Sequence, residues 1–269
     1  MRLIDSHCHL QVDRFDDDVD QVVGAARLAG VERILVPGWN PESCRDALEL
    51  VDRFPWLDAA VGVHPHDADR VDDAAWAEVA ALASDPRVVA TGETGLDYDR
   101  LFSPIPAQLA NLRRNLRLAA DTGKRAILHC RSAAGRRDAQ DALLAEVRAF
   151  GATPPPVLVH SFSGPVDYAE AMLGLGSAIS ISGLAFRKGE EATAEAVRRA
   201  PADRLLVETD SPYLSPPGAP RGRNEPEWVR VAAAWVADLR GADRDAFGDQ
   251  LVANYDRVLP RSGRPRMAG

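Results

Sequence analysis

Eight short apolar runs recur along the chain, and Ala-, Leu- and Arg-rich stretches of helical period fill the gaps between them. The runs fall at 3–9, 32–37, 58–64, 87–93, 125–129, 157–160, 178–182 and 205–210. Their mean spacing is about 29 residues, the size of one strand–helix unit. The runs are continuously apolar rather than alternating, as expected of parallel strands covered on both faces. Asn40-Pro41-Glu42 reads as an N-cap followed by proline at the first helical position, and Gly30 and Gly123 stand where helices should stop. This pattern predicts an α/β chain folded as a (β/α)₈ TIM barrel, with a doubly wound open sheet as the alternative. A single domain over 1–269 is expected, with two closing helices at 226–239 and 243–258 and a frayed end at 261–269. Pro154-Pro155-Pro156 reads as a stiff entry into the sixth strand rather than a domain linker.

In a parallel barrel the C-terminal ends of all strands meet at one mouth, so polar residues that close apolar strands converge in space. Here those residues are His7 and His9 (first strand), His64 (third), Glu93 (fourth), His129 (fifth), His160 (sixth) and Asp210 (eighth). Imidazoles and carboxylates together are the donor set of divalent cations. His7 and His9 share a strand face and can grip one ion, while Cys8 points away. Alone, this pair is as easily two satisfied core histidines. Glu93 needs a cation, since an unpaired buried carboxylate is costly, and its two oxygens can bridge two ions. His129 and His160 would each pass singly for a core histidine; at the same height on adjacent strands they are harder to dismiss. Asp210 is a candidate ligand and proton acceptor, with Glu208 on the same face as support. His64, at the mouth, Arg131 and Glu208 are candidate substrate contacts. His66 reads as a loop residue, and Arg221 and Arg223 as further groups able to meet an anion.

Composition narrows the partners. Forty Asp plus Glu against 32 Lys plus Arg give a net charge of −8, which excludes a broad basic surface for coating nucleic acid. No apolar run approaches the roughly 18 residues of a membrane helix. Met1-Arg2-Leu3-Ile4-Asp5 meets a carboxylate too early for a signal peptide, so no membrane contact and a cytoplasmic location are expected. Cys8, Cys44 and Cys130 are odd in number and widely spaced, which suits packing thiols in a reducing compartment.

Taken together, the motifs resemble the TatD family of metal-dependent deoxyribonucleases, among the amidohydrolase-like barrels. They run in order over about residues 2 to 259: Ile4-Asp5-Ser6-His7-Cys8-His9-Leu10, Gly62-Val63-His64-Pro65-His66, Gly92-Glu93-Thr94-Gly95-Leu96-Asp97, His129-Cys130-Arg131, His160-Ser161-Phe162-Ser163-Gly164, Glu208-Thr209-Asp210-Ser211-Pro212-Tyr213 and Arg223-Asn224-Glu225-Pro226. The resemblance implies two divalent ions (Zn, Mg or Mn), one held by His7, His9 and Asp210, the other by His129 and His160, with Glu93 between them. It implies phosphodiester hydrolysis of DNA, with His64 helping to bind the phosphate. Against the family pattern, Lys124-Arg125 precedes strand five, Leu112, Asn115 and Leu259 replace usual residues, and the stretch 134–137 is unusually basic.

Two such ions would outweigh the charge of Glu93 and Asp210, leaving the mouth positive in an acidic protein. The expected substrate is therefore a DNA strand end or short oligonucleotide entering a pocket, taken by a monomer. Two other classes remain at this level. One is an amide or ester hydrolase acting on a small or aminoacyl substrate, whose relatives often carry a bridging carbamylated lysine where this chain has Glu93. The other is a non-enzymatic metal-binding barrel.

Overall fold

The computed structural model describes residues 1–151 and 154–261. Its strands are β1 (Leu3–Asp5), β2 (Val31–Pro37), β3 (Leu57–Val61), β4 (Val88–Asp97), β5 (Arg125–Arg131), β6 (Val157–Val159), β7 (Ala178–Ile181) and β8 (Leu205–Val207). The helices are α1 (Val19–Leu28), α2 (Pro41–Arg53), α3 (Asp73–Leu82), α4 (Ile105–Thr122), α5 (Asp138–Ala149), α6 (Val166–Gly174), α7 (Glu191–Arg199), α8 (Val229–Leu239) and α9 (Arg244–Val258). All strands are parallel and pair in sequence order, so the predicted barrel is the observed one. The seam between the first and last strands is closed beyond their short ladders. Ser6 N–H donates to Val207 O, His9 N–H to Ser211 O and Asp210 N–H to His7 O, at 2.8–3.0 Å. Buried Asp5 reinforces the seam by accepting from the N–H and hydroxyl of Thr209 at 2.9 and 2.5 Å.

Local signals act as read. Asn40 caps α2 in a capping box with Ser43, and Pro41 opens the helix. Gly123 ends α4 in the left-handed conformation. Strand limits shift where the chain leaves the ladder for the mouth. Strands β1 and β8 stop before His7 and Asp210, whereas β4 runs past Glu93 to Asp97. A register shift places Thr91 opposite Ala126 but Thr94 opposite Leu128, so β4 carries an extra residue where Glu93 turns inward. Gly95 is required there because a Cβ would overlap the carbonyl oxygen of His129 on β5.

At the N-terminal floor, Asp58 is 2% exposed and fully partnered. It accepts from Arg33 Nε at 2.9 Å, Tyr255 Oη at 2.9 Å and Arg261 Nε at 2.7 Å. Arg261, the first residue of the end expected to fray, is thus docked; the remainder, 262–269, lies outside the described residues. Lys124 and Arg125, the departure before β5, serve the floor as well. Lys124 Nζ donates to Ala83 O, and Arg125 to Val157 O and Val258 O. Leu112 and Leu259 are fully buried, as is Asn115, which bonds Asn111 O.

Candidate metal centre

Six of the residues singled out by sequence, together with His64, form one buried cluster at the mouth around Glu93. Glu93 is 2% exposed, and no lysine or arginine pairs with it among the described residues. Its two oxygens divide the cluster. Oε2 lies 3.2 Å from His7 Nε2 and 3.6 Å from His9 Nε2, and Asp210 Oδ1 completes that half, 3.4 Å from His9 Nε2. Oε1 lies 2.8 Å from His160 Nε2, 3.1 Å from His129 Nδ1 and 3.2 Å from His64 Nε2. Nitrogens that would compete for one proton face each other at 3.2 Å (His7 and His9) and 3.3 Å (His129 and His160). Such crowding of lone pairs around a buried carboxylate is relieved by a cation.

Outer partners fix which ring nitrogen carries the proton. His160 Nδ1 faces Glu208 Oε1 at 3.2 Å, leaving the Nε2 lone pair aimed at the cluster. His129 Nδ1 faces the cluster, while its Nε2 lies 3.5 Å from Asp97 Oδ2 without a hydrogen bond. His64 is the reverse. Its Nδ1 accepts the N–H of His66 at 3.1 Å, so Nε2 carries the proton and acts as a donor. The histidine set therefore splits into lone-pair donors to a cation and one proton donor. The buried Nδ1 atoms of His7 and His9 and Nε2 of His129 have no hydrogen-bond partner.

Electrostatics follow the same division. Burial alone would raise the pKa of Glu93, but His160, His64 and His7 hold it well below the usual carboxylate range. Asp210 is likewise lowered, burial being overcome by His9 and His7. Burial pushes His64 down to about 4 and lowers His7. His160 rises well above its ordinary value because Glu93 and Glu208 outweigh the cost of burial.

Several expected contacts are relocated. Glu208, placed by sequence among substrate contacts, is fully buried behind His160, where it also accepts the Ser161 N–H at 2.6 Å. It is not among the residues lining the mouth cavity and meets His160 and Ser161 from behind. Arg131 does line that cavity, but its guanidinium is paired with Asp99 at 2.6 Å. Arg223 is held by Asp18 and Glu225. The basic stretch 134–137 is neutralised by neighbouring acids, Arg136 by Asp138 and Arg137 by Asp141 and Asp167. His66 is not a bystander, since its Nε2 lies 2.7 Å from Asp97 Oδ2. Asp97 was missed because the expected strand ended at Glu93; its signal was a carboxylate four residues beyond Glu93. Cys8 and Cys44 are buried and Cys130 half-buried, all as free thiols.

The cavity above the cluster has a volume of about 930 Å³. Comparison with known proteins gives a consistent picture. The family model described as TatD related DNase matches residues 4–260. A protein named 3'-5' ssDNA/RNA exonuclease TatD from Erwinia billingiae is 38% identical, over 96% of this chain and 98% of that one. The uncharacterized metal-dependent hydrolase YabD of Bacillus subtilis is 32% identical, over 96% and 98%. Among solved structures, YJJV, a TatD homolog from Escherichia coli K12, superposes with a TM-score of 0.85 at 30% identity, covering 96% of this chain and 98% of that one.

Proposed function

The chain belongs to the TatD related DNase family, and on that premise we propose that it removes nucleotides from the ends of single-stranded nucleic acid by metal-dependent phosphodiester hydrolysis. The observation that carries this reading is the division of the cluster by the two oxygens of Glu93, with an aspartate and two imidazoles on one side and three imidazoles on the other. His7, His9 and Asp210 would hold one divalent ion, His129 and His160 a second, and Glu93 would touch both. Zn, Mg and Mn all suit this donor set. Bound there, the ions would supply Lewis acidity to the phosphate and acidify an attacking water.

The chain's own groups do the rest. Asp210, ionised and open to the cavity with 14% of its side chain exposed, takes the proton of the water. His64 Nε2–H donates to a non-bridging phosphate oxygen, and its depressed pKa keeps the ring neutral at physiological pH. Glu208 holds His160 in the tautomer that faces inward, and the Asp97 carboxylate stands 3.5 Å behind His129 Nε2. No helix among the described residues is long and apolar enough to cross a membrane.

The test strips the protein with chelator, reloads it with each metal and offers a 5′-labelled single-stranded oligonucleotide beside amide and ester substrates. The expected result is a ladder shortening from the 3′ end, absent in His129→Ala. Cleavage no faster than that variant would contradict the reading, and turnover confined to amides or esters would move the site to C–N or ester hydrolysis.

A further inference from the structure

The exposed large apolar side chains among the described residues are Leu28, Leu101, Phe102, Ile105 and Tyr213, and both aromatic ones line the mouth cavity. Scattered exposed hydrophobics are ordinary. These two are distinguished by where they stand and how they are held. Tyr213, 47% exposed, borders the Asp210 half, with its ring centroid 5.9 Å from that of His9. Phe102, 54% exposed, borders the His129 half, edge-on to His66 at 4.7 Å.

The backbone that carries both rings is held in place by hydrogen bonds. The Phe102 loop is pinned by buried Ser103, whose hydroxyl donates to His66 O at 2.9 Å and lies 2.7 Å from Asp69 Oδ1; Gln108 Nε2 donates to Ser103 O at 2.8 Å. Tyr213 N–H donates to Asp210 O at 2.8 Å. Leu101 and Leu214, each beside one ring, hold left-handed backbone angles of 51° and 48°, unusual for residues with a Cβ. Backbone already ordered at the rim lowers the ordering cost when a flat partner arrives.

The charges around them match. Arg14, Arg100 and Arg187 line the same cavity, and none has an acidic partner among the described residues, unlike Arg131 and Arg223. Arg14 also lies 5.8 Å from the Tyr213 ring centroid.

We propose that this rim is a stacking platform for single-stranded nucleic acid: Phe102 and Tyr213 each receive an unpaired base beside the scissile phosphate, and Arg14, Arg100 and Arg187 grip the phosphates that follow. The inference rests on the nuclease reading and adds what that reading lacks, the reason a duplex end is refused. Base–aromatic stacking is indifferent to sequence and to the sugar, so DNA and RNA strands are both taken, while paired bases cannot reach the rings.

The test compares the metal-loaded enzyme with Phe102→Ala and Tyr213→Ala on a thymidine hexamer, on the same hexamer abasic at its two 3′ nucleotides, on a uridine hexamer and on a blunt duplex. Each variant should raise KM about tenfold on both single strands, with kcat within about threefold, and should add no comparable loss on the abasic strand. Arg14→Gln, Arg100→Gln and Arg187→Gln should each flatten the log–log salt dependence of binding by about 0.7. A KM change under twofold, or an equal loss with and without bases, overturns the platform while leaving the nuclease reading intact. If no strand is cut, the nuclease reading fails; anisotropy titration of the labelled hexamer then decides the platform, and affinities in the two ring variants equal to the parent's overturn it.

Discussion

The two ends of the barrel each bury a carboxylate at 2% exposure, and they treat it in opposite ways. On the floor, Asp58 is closed in by two guanidiniums and a phenol, all within 3 Å. At the mouth, Glu93 meets only imidazoles, which can give up their protons, and no fixed cation. A buried acid with arginine partners has its charge settled by the fold itself. One surrounded by neutral-capable nitrogens stays available to an ion brought from outside. The contrast separates an acid that serves stability from an acid that serves chemistry, on geometry that looks alike in burial.

Exchanging the acids tests that contrast. The largest effect is expected from Glu93→Gln, which should lower kcat/KM for oligonucleotide hydrolysis by on the order of 10³-fold, while the metal-free protein should lose less stability than at Asp58, because imidazoles, unlike guanidiniums, can shed their protons once the carboxylate is gone. Asp58→Asn should do the opposite. Leaving Arg33 and Arg261 with a neutral partner should cost about 3–5 kcal/mol in urea unfolding, with kcat of the folded fraction within about twofold. Equal stability losses at the two positions would erase the distinction.

Smaller effects sharpen it. Asp97→Asn, which frees His129 Nε2 from its carboxylate, should weaken metal binding about 10–100-fold by competition with a chelating dye. The mouth should also respond to mild acid. His64 stays neutral in the fold down to about 4, whereas unfolded histidine takes a proton near 6.5. The unfolded chain therefore binds the extra proton in this window, and stability contributed by His64 is lost as pH falls from 6.5 toward 4. Relative to His64→Asn, the metal-free parent should lose about 1 kcal/mol between pH 6.5 and 5.5; parallel curves would show that the ring is not buried as described.

The barrel and the central cluster were legible because both rest on period and position. Apolar runs 29 or so residues apart set the strand count, and parallel strands bring their closing residues together whatever lies between. Strand limits were less legible where glycine intervenes. The chain after Glu93 reads as a turn, yet β4 continues to Asp97 because its backbone must approach that of β5 too closely for any side chain. The carboxylates behind the histidines were visible as residues but not as roles, since only three dimensions put Glu208 beneath His160 and Asp97 beside His129. Cationic groups were visible as charges but not as pairs. Arg131 and Arg223 lie within motifs, yet acids near in space pair with them, while Arg14, Arg100 and Arg187 lie outside the motifs and have no acidic partner among the described residues.

The central claim is that Glu93 divides the mouth into two ion-binding halves, one of which depends on Asp210 and the other on His129. Equilibrium dialysis with elemental analysis measures this directly, on the parent, Asp210→Asn, His129→Ala and Glu93→Gln. The account predicts two divalent ions per chain in the parent, one in each half-site variant, and weakened binding of both in Glu93→Gln. A parent holding less than one ion per chain, or a Glu93→Gln protein binding both as tightly as the parent, would contradict it.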